Sequence, residues 1–214
     1  MTHFSLKDVE EMHKTFRLKL INSITGFKSA NLLGTQSESG TTNLTVFSSI
    51  THLGSHPPFI GFVLRPTTVP RHSYRNIKET GVYTLNHINQ QITDKAHYTS
   101  AKHADSEFTA CGLTEEYLEN FPAPYVKESK IKLGMSLQEE IPIKANGTIL
   151  IVGKVEHIHI DRSCITPDGQ VDLDKAESVA ISGLNNYHKT KMVGSYPYAR
   201  VGEFPKNNFE NFQT

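Results

Sequence analysis

The sequence predicts a mainly β fold with inserted helices, wrapped into one barrel-like domain, and three observations carry that prediction. From Lys28 onward, short segments rich in Val, Ile, Phe and Thr recur, each bounded by Gly or Pro. The dipeptides Asn146-Gly147 and Asp168-Gly169 fall between such segments, and Asn-Gly tolerates positive φ at both positions of a tight hairpin. The helical segments are short, without the regular strand–helix alternation of a parallel sheet. At 214 residues and 37% hydrophobic the chain can bury a sizeable core. It shows no repeat, low-complexity tract or dividing linker, so residues 1–214 read as a single domain.

Taken in order, Ser5 is a helix N-cap with Asp8 three residues on, and Phe4 and Val9 stand where a hydrophobic staple would place them. Leu6, Val9, Met12, Phe16 and Leu20 give an amphipathic helix over about residues 5–21. Its apolar face should pack on the barrel or on a partner chain. KSANLLGT, TNLTVFSSI and FIGFVLR are the first strands, the third beginning near Phe59 because Pro57 and Pro58 cannot donate to a ladder. HSYRNIKET reads as a helix stopped by Gly81, and VYTLNHI as a strand. NQQITDKAHYTSA and DSEFTACGL are short helices, and TEEYLENF adds a turn capped by Thr114. IKLGMSLQEEIPI, GTILIVGKVEHIHID, QVDL and ESVAI complete the strands, leaving an irregular tail over about residues 185–214.

Composition excludes several function classes. A formal net charge of +0 offers no global field for nucleic acid or an anionic membrane. No apolar run approaches a membrane span or a signal peptide. Two separated cysteines without CxxC speak against a disulfide scaffold and for a reducing, cytoplasmic setting. GxGxxG, GxxxxGK[ST] and GxSxG are absent. His157 and His159 share one side of a strand, but no acidic or thiol cluster completes a metal shell, and a solvent-facing strand edge accounts for them better.

What remains is residues 43–76. Thr45, Ser48, Ser49, Thr67 and Thr68 supply hydroxyls and Arg65 and Arg71 supply fixed charge, interleaved with apolar residues. Any one Ser or Thr is most often simply exposed. Here a Ser-Ser pair ends one strand, an Arg ends the next, and Thr67-Thr68 stands where a helix N-terminus, an anion site, should begin. Pro70 has no N–H to add to that site. The pattern suits a ligand with a flat apolar body and an anionic tail. A second polar cluster, Thr99-Ser100-Ala101-Lys102, is equally consistent with an ordinary helix end.

Asn-x-x-x-Phe-Ser-Ser on a strand, a Pro-Pro-led strand, a basic and Thr-rich segment, and an Asn-Ile-x-x-Thr-Gly helix end make this stretch resemble the flavin reductase-like, FMN-binding split-barrel family. The likeness runs over roughly residues 25–185 and is most specific over 43–90. It implies an FMN-binding split β-barrel that forms homodimers. Thr45, Ser48, Ser49 and Ile50 would line the flavin, with backbone groups at Ser49 and Ile50 on the ring edge and serine hydroxyls on the ribityl or phosphate. Arg65, Thr67, Thr68 and the Thr99–Lys102 segment would meet the phosphate. Many members carry Lys-Asp-Thr where this chain has Arg-Pro-Thr-Thr-Val-Pro-Arg, which leaves the phosphate-binding threonine open between Thr67 and Thr68. Hydride would pass from NADH or NADPH to the flavin with no side chain as strong acid or base. The alternative is a flavin-binding electron carrier or sensor without turnover.

Overall fold

The computed structural model of the protein describes residues 1–69, 71–204 and 206. Pro70 and the tail at 205 and 207–214 lie outside them. The strands are β1 (Lys28–Ser29), β2 (Asn31–Gln36), β3 (Thr42–Phe47), β4 (Thr51–Ser55), β5 (Pro58–Leu64), β6 (Val82–His87), β7 (Glu115–Glu116), β8 (Tyr125–Val126), β9 (Ile131–Ile143), β10 (Thr148–Ile160), β11 (Val179–Ser182) and β12 (Asn186–Lys189). The α-helices are α1 (Leu6–Glu11), α2 (Lys14–Ser23), α3 (His72–Thr80), α4 (Thr93–Tyr98) and α5 (Glu107–Cys111).

Seven strands form one antiparallel sheet in the order β3-β2-β6-β9-β10-β5-β4. The sheet therefore begins and ends on strands joined by only residues 48–50, so chain connectivity holds its two edges together at one corner. Leu33, Phe62, Leu64, Ile77, Tyr83, Leu85, Met135 and Ile151 pack as one core cluster. Phe62 meets Phe47 and Tyr83 edge-on, with centroids 5.0 and 5.6 Å apart. Leu32 and Leu44 belong to a second cluster, with Ala96 of α4, Phe108 of α5, Val126 of β8 and Ile181 of β11. Successive strand residues face opposite ways, so β2 is buried on both faces, which explains its unbroken Asn-Leu-Leu run. Each fully buried Leu or Phe contributes roughly 1.5–3 kcal/mol.

Local signals hold where local chemistry decides. Gly81 ends α3 with φ 72° and Gly112 ends α5 with φ 64°, the left-handed region glycine enters without cost. Ser5 caps α1 in a complete capping box with Asp8. The hairpin after β9 differs from the two-residue turn expected. Thr148 pairs with Ile143 across a four-residue loop, and only Gly147 has positive φ.

Other expectations are corrected by contacts distant in sequence. The N-terminal helix is two helices, because Met12 is extended (φ −60°, ψ 144°). Neither helix buries a residue. Segment 114–121 starts with a strand, β7 pairing with β8, while Thr114 bonds through N and Oγ1 to Glu128. QVDL makes only an isolated bridge between Val171 and Ile165. The tail contributes β12, which completes a small sheet β1-β11-β12. His157 and His159 are half-buried rather than on a solvent-facing edge, because Phe121 and Tyr125 pack edge-on against their rings. Among the described residues no group of three His, Cys, Asp or Glu side chains could hold a metal, and no helix is long and apolar enough to cross a membrane.

Gly153 sits at a register shift of β10, and a Cβ there would lie 1.9 Å from Tyr83 Oη and 2.9 Å from Tyr83 Cζ. Tyr83 is fully buried and its hydroxyl has no hydrogen-bond partner. Gly153→Ala should therefore cost about 1–3 kcal/mol in urea unfolding, the range for an overpacked core. Tyr83→Phe should be close to neutral alone and should recover part of that loss in the double variant. Independent, additive effects would contradict this contact.

Candidate functional site

β3 is the strand to which the implied site residues attach. Near its end, Thr99 reaches across from the C-terminus of α4: its Oγ1 accepts from Val46 N at 3.1 Å and donates to Ala96 O at 2.7 Å. Just past its end, Ser49 Oγ donates to Val63 O at 3.0 Å and accepts from Val63 N at 3.1 Å. At its start, Asn43 Nδ2 and Leu44 N both donate to Glu107 Oε2, at 2.6 and 3.1 Å. Ser73 of α3 donates to Asn43 Oδ1 at 2.5 Å. One strand is thus tied to α3, α4, α5 and β5.

These bonds sort the candidate residues. Ser49 and Thr99 have their hydroxyl protons committed to Val63 O and Ala96 O, so neither hydroxyl can donate to a phosphate while those bonds hold. Thr45 and Ser48 are half-buried, and Ile50 is half-buried against the Leu33–Phe62 cluster. Arg65, Thr67 and Thr68 are exposed beyond β5. α3 starts at His72, where the HSYRNIKET reading put it, with Arg71 as N-cap residue, so Thr67 and Thr68 lie before the helix terminus rather than at it. Ser100 donates to His97 O at 2.7 Å, and Ala101 and Lys102 are exposed.

Three cations belong to the segments named: Arg65, Arg71 and Lys102. Arg65 and Lys102 make no hydrogen bond or ion pair among the described residues, and Arg71 has its Nε buried without an acceptor while Nη2 lies 3.5 Å from Pro66 O. Arg71 is the addition to the implied set. Its place immediately before a helix was the available signal. The bond between Asn43 and Glu107 was not visible in the sequence, its partners being 64 residues apart.

The surroundings hold the segment after β5 in place. A Cβ at Gly147 would touch Pro66 Cγ at 3.8 Å, so the β9–β10 hairpin tip abuts that segment. Tyr74 donates to Glu140 Oε2 at 2.8 Å and Lys78 Nζ lies 3.0 Å from Glu140 Oε1, tying α3 to β9. Burial pushes the Tyr74 hydroxyl up from its ordinary range and the bond to Glu140 adds to it. On the other side, Tyr187 of β12 lies 3.3 Å from His97 Nδ1 and packs on the core against α4. It is a brace for the helix that presents residues 99–102.

An antiparallel barrel left open between its edge strands defines the split-barrel class. Residues 26–169 match the model of the flavin reductase like domain, and the chain belongs to that family. A split-barrel protein from Shewanella frigidimarina, provisionally named a flavin reductase, is 44% identical, with a TM-score of 0.90 over 93% of this chain and 100% of that one. Component B of nitrilotriacetate monooxygenase from Bacillus cereus shares the fold at TM-score 0.78 and 19% identity, over 90% of this chain and 96% of that one. An uncharacterized protein from Halalkalibacterium halodurans is 28% identical over 163 residues, 72% of this chain and 78% of its own length.

Ser49→Ala would leave the Val63 N–H without its partner at the split. We expect a loss of about 1 kcal/mol in urea unfolding, the low end of the cost of an unpaired donor, because the contact is part-buried. A change inside the roughly 0.5 kcal/mol scatter of surface substitutions would contradict the role given to this hydroxyl.

Proposed function

We propose that the protein binds FMN non-covalently at the corner between β3 and β4 and acts as an oxidoreductase that draws hydride from NADH or NADPH, working as a cytoplasmic homodimer. The carrying observation is the cation set without anions: Arg65 and Lys102 unpaired among the described residues, and Arg71 with a buried Nε lacking an acceptor. A phosphate dianion answers that deficit, since guanidinium groups grip phosphate through paired N–H donors. The flat ring system is matched by half-buried Val46, Phe47 and Ile50 beside the hydroxyls of Thr45 and Ser48. These features fit the flavin mononucleotide that membership of the family suggests.

When bound, the flavin supplies the two-electron redox chemistry, and the protein binds and tunes it. Arg65, Lys102 and Arg71 anchor the phosphate end, with Thr67 or Thr68 as an added donor. Main-chain N–H groups at Ser49 and Ile50 face the ring edge and favour the more negative reduced state as fixed dipoles. Ser49 holds those dipoles still through Val63. No general acid or base is required of any side chain. Exposed Leu18 and Ile21, three residues apart on one side of α2, are apolar side chains of the kind a second copy would bury.

Arg65→Ala and Lys102→Ala should each weaken FMN binding by about 1.5–3 kcal/mol, roughly 10- to 150-fold, in a fluorescence-quenching titration. Riboflavin, which lacks the phosphate, should lose far less. Equal losses for the two ligands would refute the phosphate assignment. Steady-state NADH or NADPH oxidation with added FMN reports turnover; tight binding without turnover would favour an electron carrier over a reductase.

A further inference from the structure

The outer face of β9 and β10 carries a histidine pair that the flavin corner does not use. His157 and His159 are alternate residues of β10, so their side chains leave the same side of the strand. Their rings lie parallel within 4°, with centroids 6.2 Å apart. The chain running from β7 into β8 covers them. Phe121 meets the His157 ring edge-on at 5.4 Å, and Tyr125 meets the His159 ring edge-on at 5.1 Å.

This packing suits neutral imidazoles. His159 Nε2 is buried and has no hydrogen-bond partner. In the neutral ring that atom can be the bare nitrogen. Protonation would put a charged N–H there without an acceptor, and a buried unpaired charge is costly. Burial accordingly pulls the His159 imidazole below its ordinary value, and His157 adds to the shift. Lys132 of β9 also opposes a proton on His159, while Glu119 and Glu116 of the covering chain favour one. Glu116 is already paired with Lys132, and Glu119 is exposed, where solvent and salt screen it.

The rings have little room to shift in place. A Cβ at Gly134, the β9 residue opposite His157, would lie 2.5 Å from Tyr125 Oη and 3.2 Å from both His157 Cβ and Phe121 Cε2. The covering chain is thus seated directly on the β9 backbone. It is also strained: Glu119 and Asn120 have φ of 50° and 56°, a region that Asn enters readily and Glu does not. Relief of a trapped charge and relief of that strain call for the same movement. Pro124 and Val126 stay tied to β6, since Thr84 Oγ1 donates to Pro124 O at 2.6 Å and Val126 N donates to Asn86 Oδ1 at 3.0 Å. The movement is therefore a swing of residues 117–123 that brings water to the rings, with β8 as the fixed end.

We propose that His157 and His159 form an acid-sensitive latch, which holds residues 117–123 closed on β9 and β10 while the imidazoles are neutral and releases them when His159 takes up a proton. The latch depends neither on flavin nor on a second copy of the chain. Because the closed state holds the His159 value down, closure is fully favoured above about pH 6.5 and weakens as the pH falls below it.

Site-resolved amide hydrogen exchange of the full-length protein, from about pH 7.5 to about pH 5.5, tests this with wild type, His159→Gln and His159→Phe. Phe121 N donates to Leu118 O at 2.9 Å within the latch, and Lys127 N donates to Thr114 O at 3.0 Å beyond it. After correction for the intrinsic pH dependence of exchange, opening at Phe121 should rise between about threefold and about tenfold in the wild type. The upper figure is the ceiling for one imidazole that titrates only when open. Opening at Lys127 should stay level, and in both variants the rise at Phe121 should fall below about twofold. His87, whose imidazole burial pulls down to about 4, loads the whole fold in acid but remains in every protein compared. No rise in the wild type, an equal rise in the variants, or a parallel rise at Lys127 overturns the latch. So does a proton NMR titration in which the wild-type His159 ring protonates at or above about 6.5, a result that needs no variant to fold.

Discussion

The structure depends on the way Ser49 and Val63 exchange two hydrogen bonds. A sheet whose edge strands are joined by three residues cannot close its ladder at that corner, and unpaired edge groups are costly when buried and adhesive when exposed. Ser49 Oγ, at 3.0 and 3.1 Å from the carbonyl and amide of Val63, takes the place of a missing strand partner. Thr99 does the same for the opposite edge at Val46 N. Val63 pairs on its other side with Leu150 of β10, which runs back to the hairpin tip against Pro66. The position of the segment after β5, with its arginines, therefore follows from how the split is pinned.

This gives the polar residues of the stretch two separate duties. Two of the hydroxyls that a motif-based reading sends to the ligand, those of Ser49 and Thr99, are engaged instead with backbone at the split. The cations are left over, and their lack of carboxylate partners makes them suited to an anion. A site built this way presents main chain and positive charge on rigid elements, with few side chains required to move. The hairpin, the Tyr74–Glu140–Lys78 tie and the Tyr187 brace surround it as supports.

Much of this was legible in the sequence, and the boundary is physical. The β9 and β10 strands, α3 with its Gly81 stop and the Ser5 capping box are set by alternation, glycine geometry and side-chain-to-backbone bonds within a few residues. Family motifs marked the corner itself. The small sheet β1-β11-β12 was not legible, since Lys28 pairs with Ile181 across most of the chain. Nor was the Asn43–Glu107 bond, whose partners are polar residues in unrelated segments. The break at Met12 carries no Gly or Pro to announce it. Burial of His157 and His159 depends on Phe121 and Tyr125, which periodicity within β10 cannot reveal.

The central claim is that one corner of an open barrel, pinned by Ser49, forms the flavin cradle. Amide chemical-shift mapping of the isotopically labelled protein during an FMN titration tests it most directly. The account predicts saturable shifts concentrated at residues 45–50, 65–71 and 99–102, with the β9–β10 hairpin tip following weakly. Saturable shifts centred on another face of the barrel, or no shifts at FMN concentrations in large excess over protein, would contradict it.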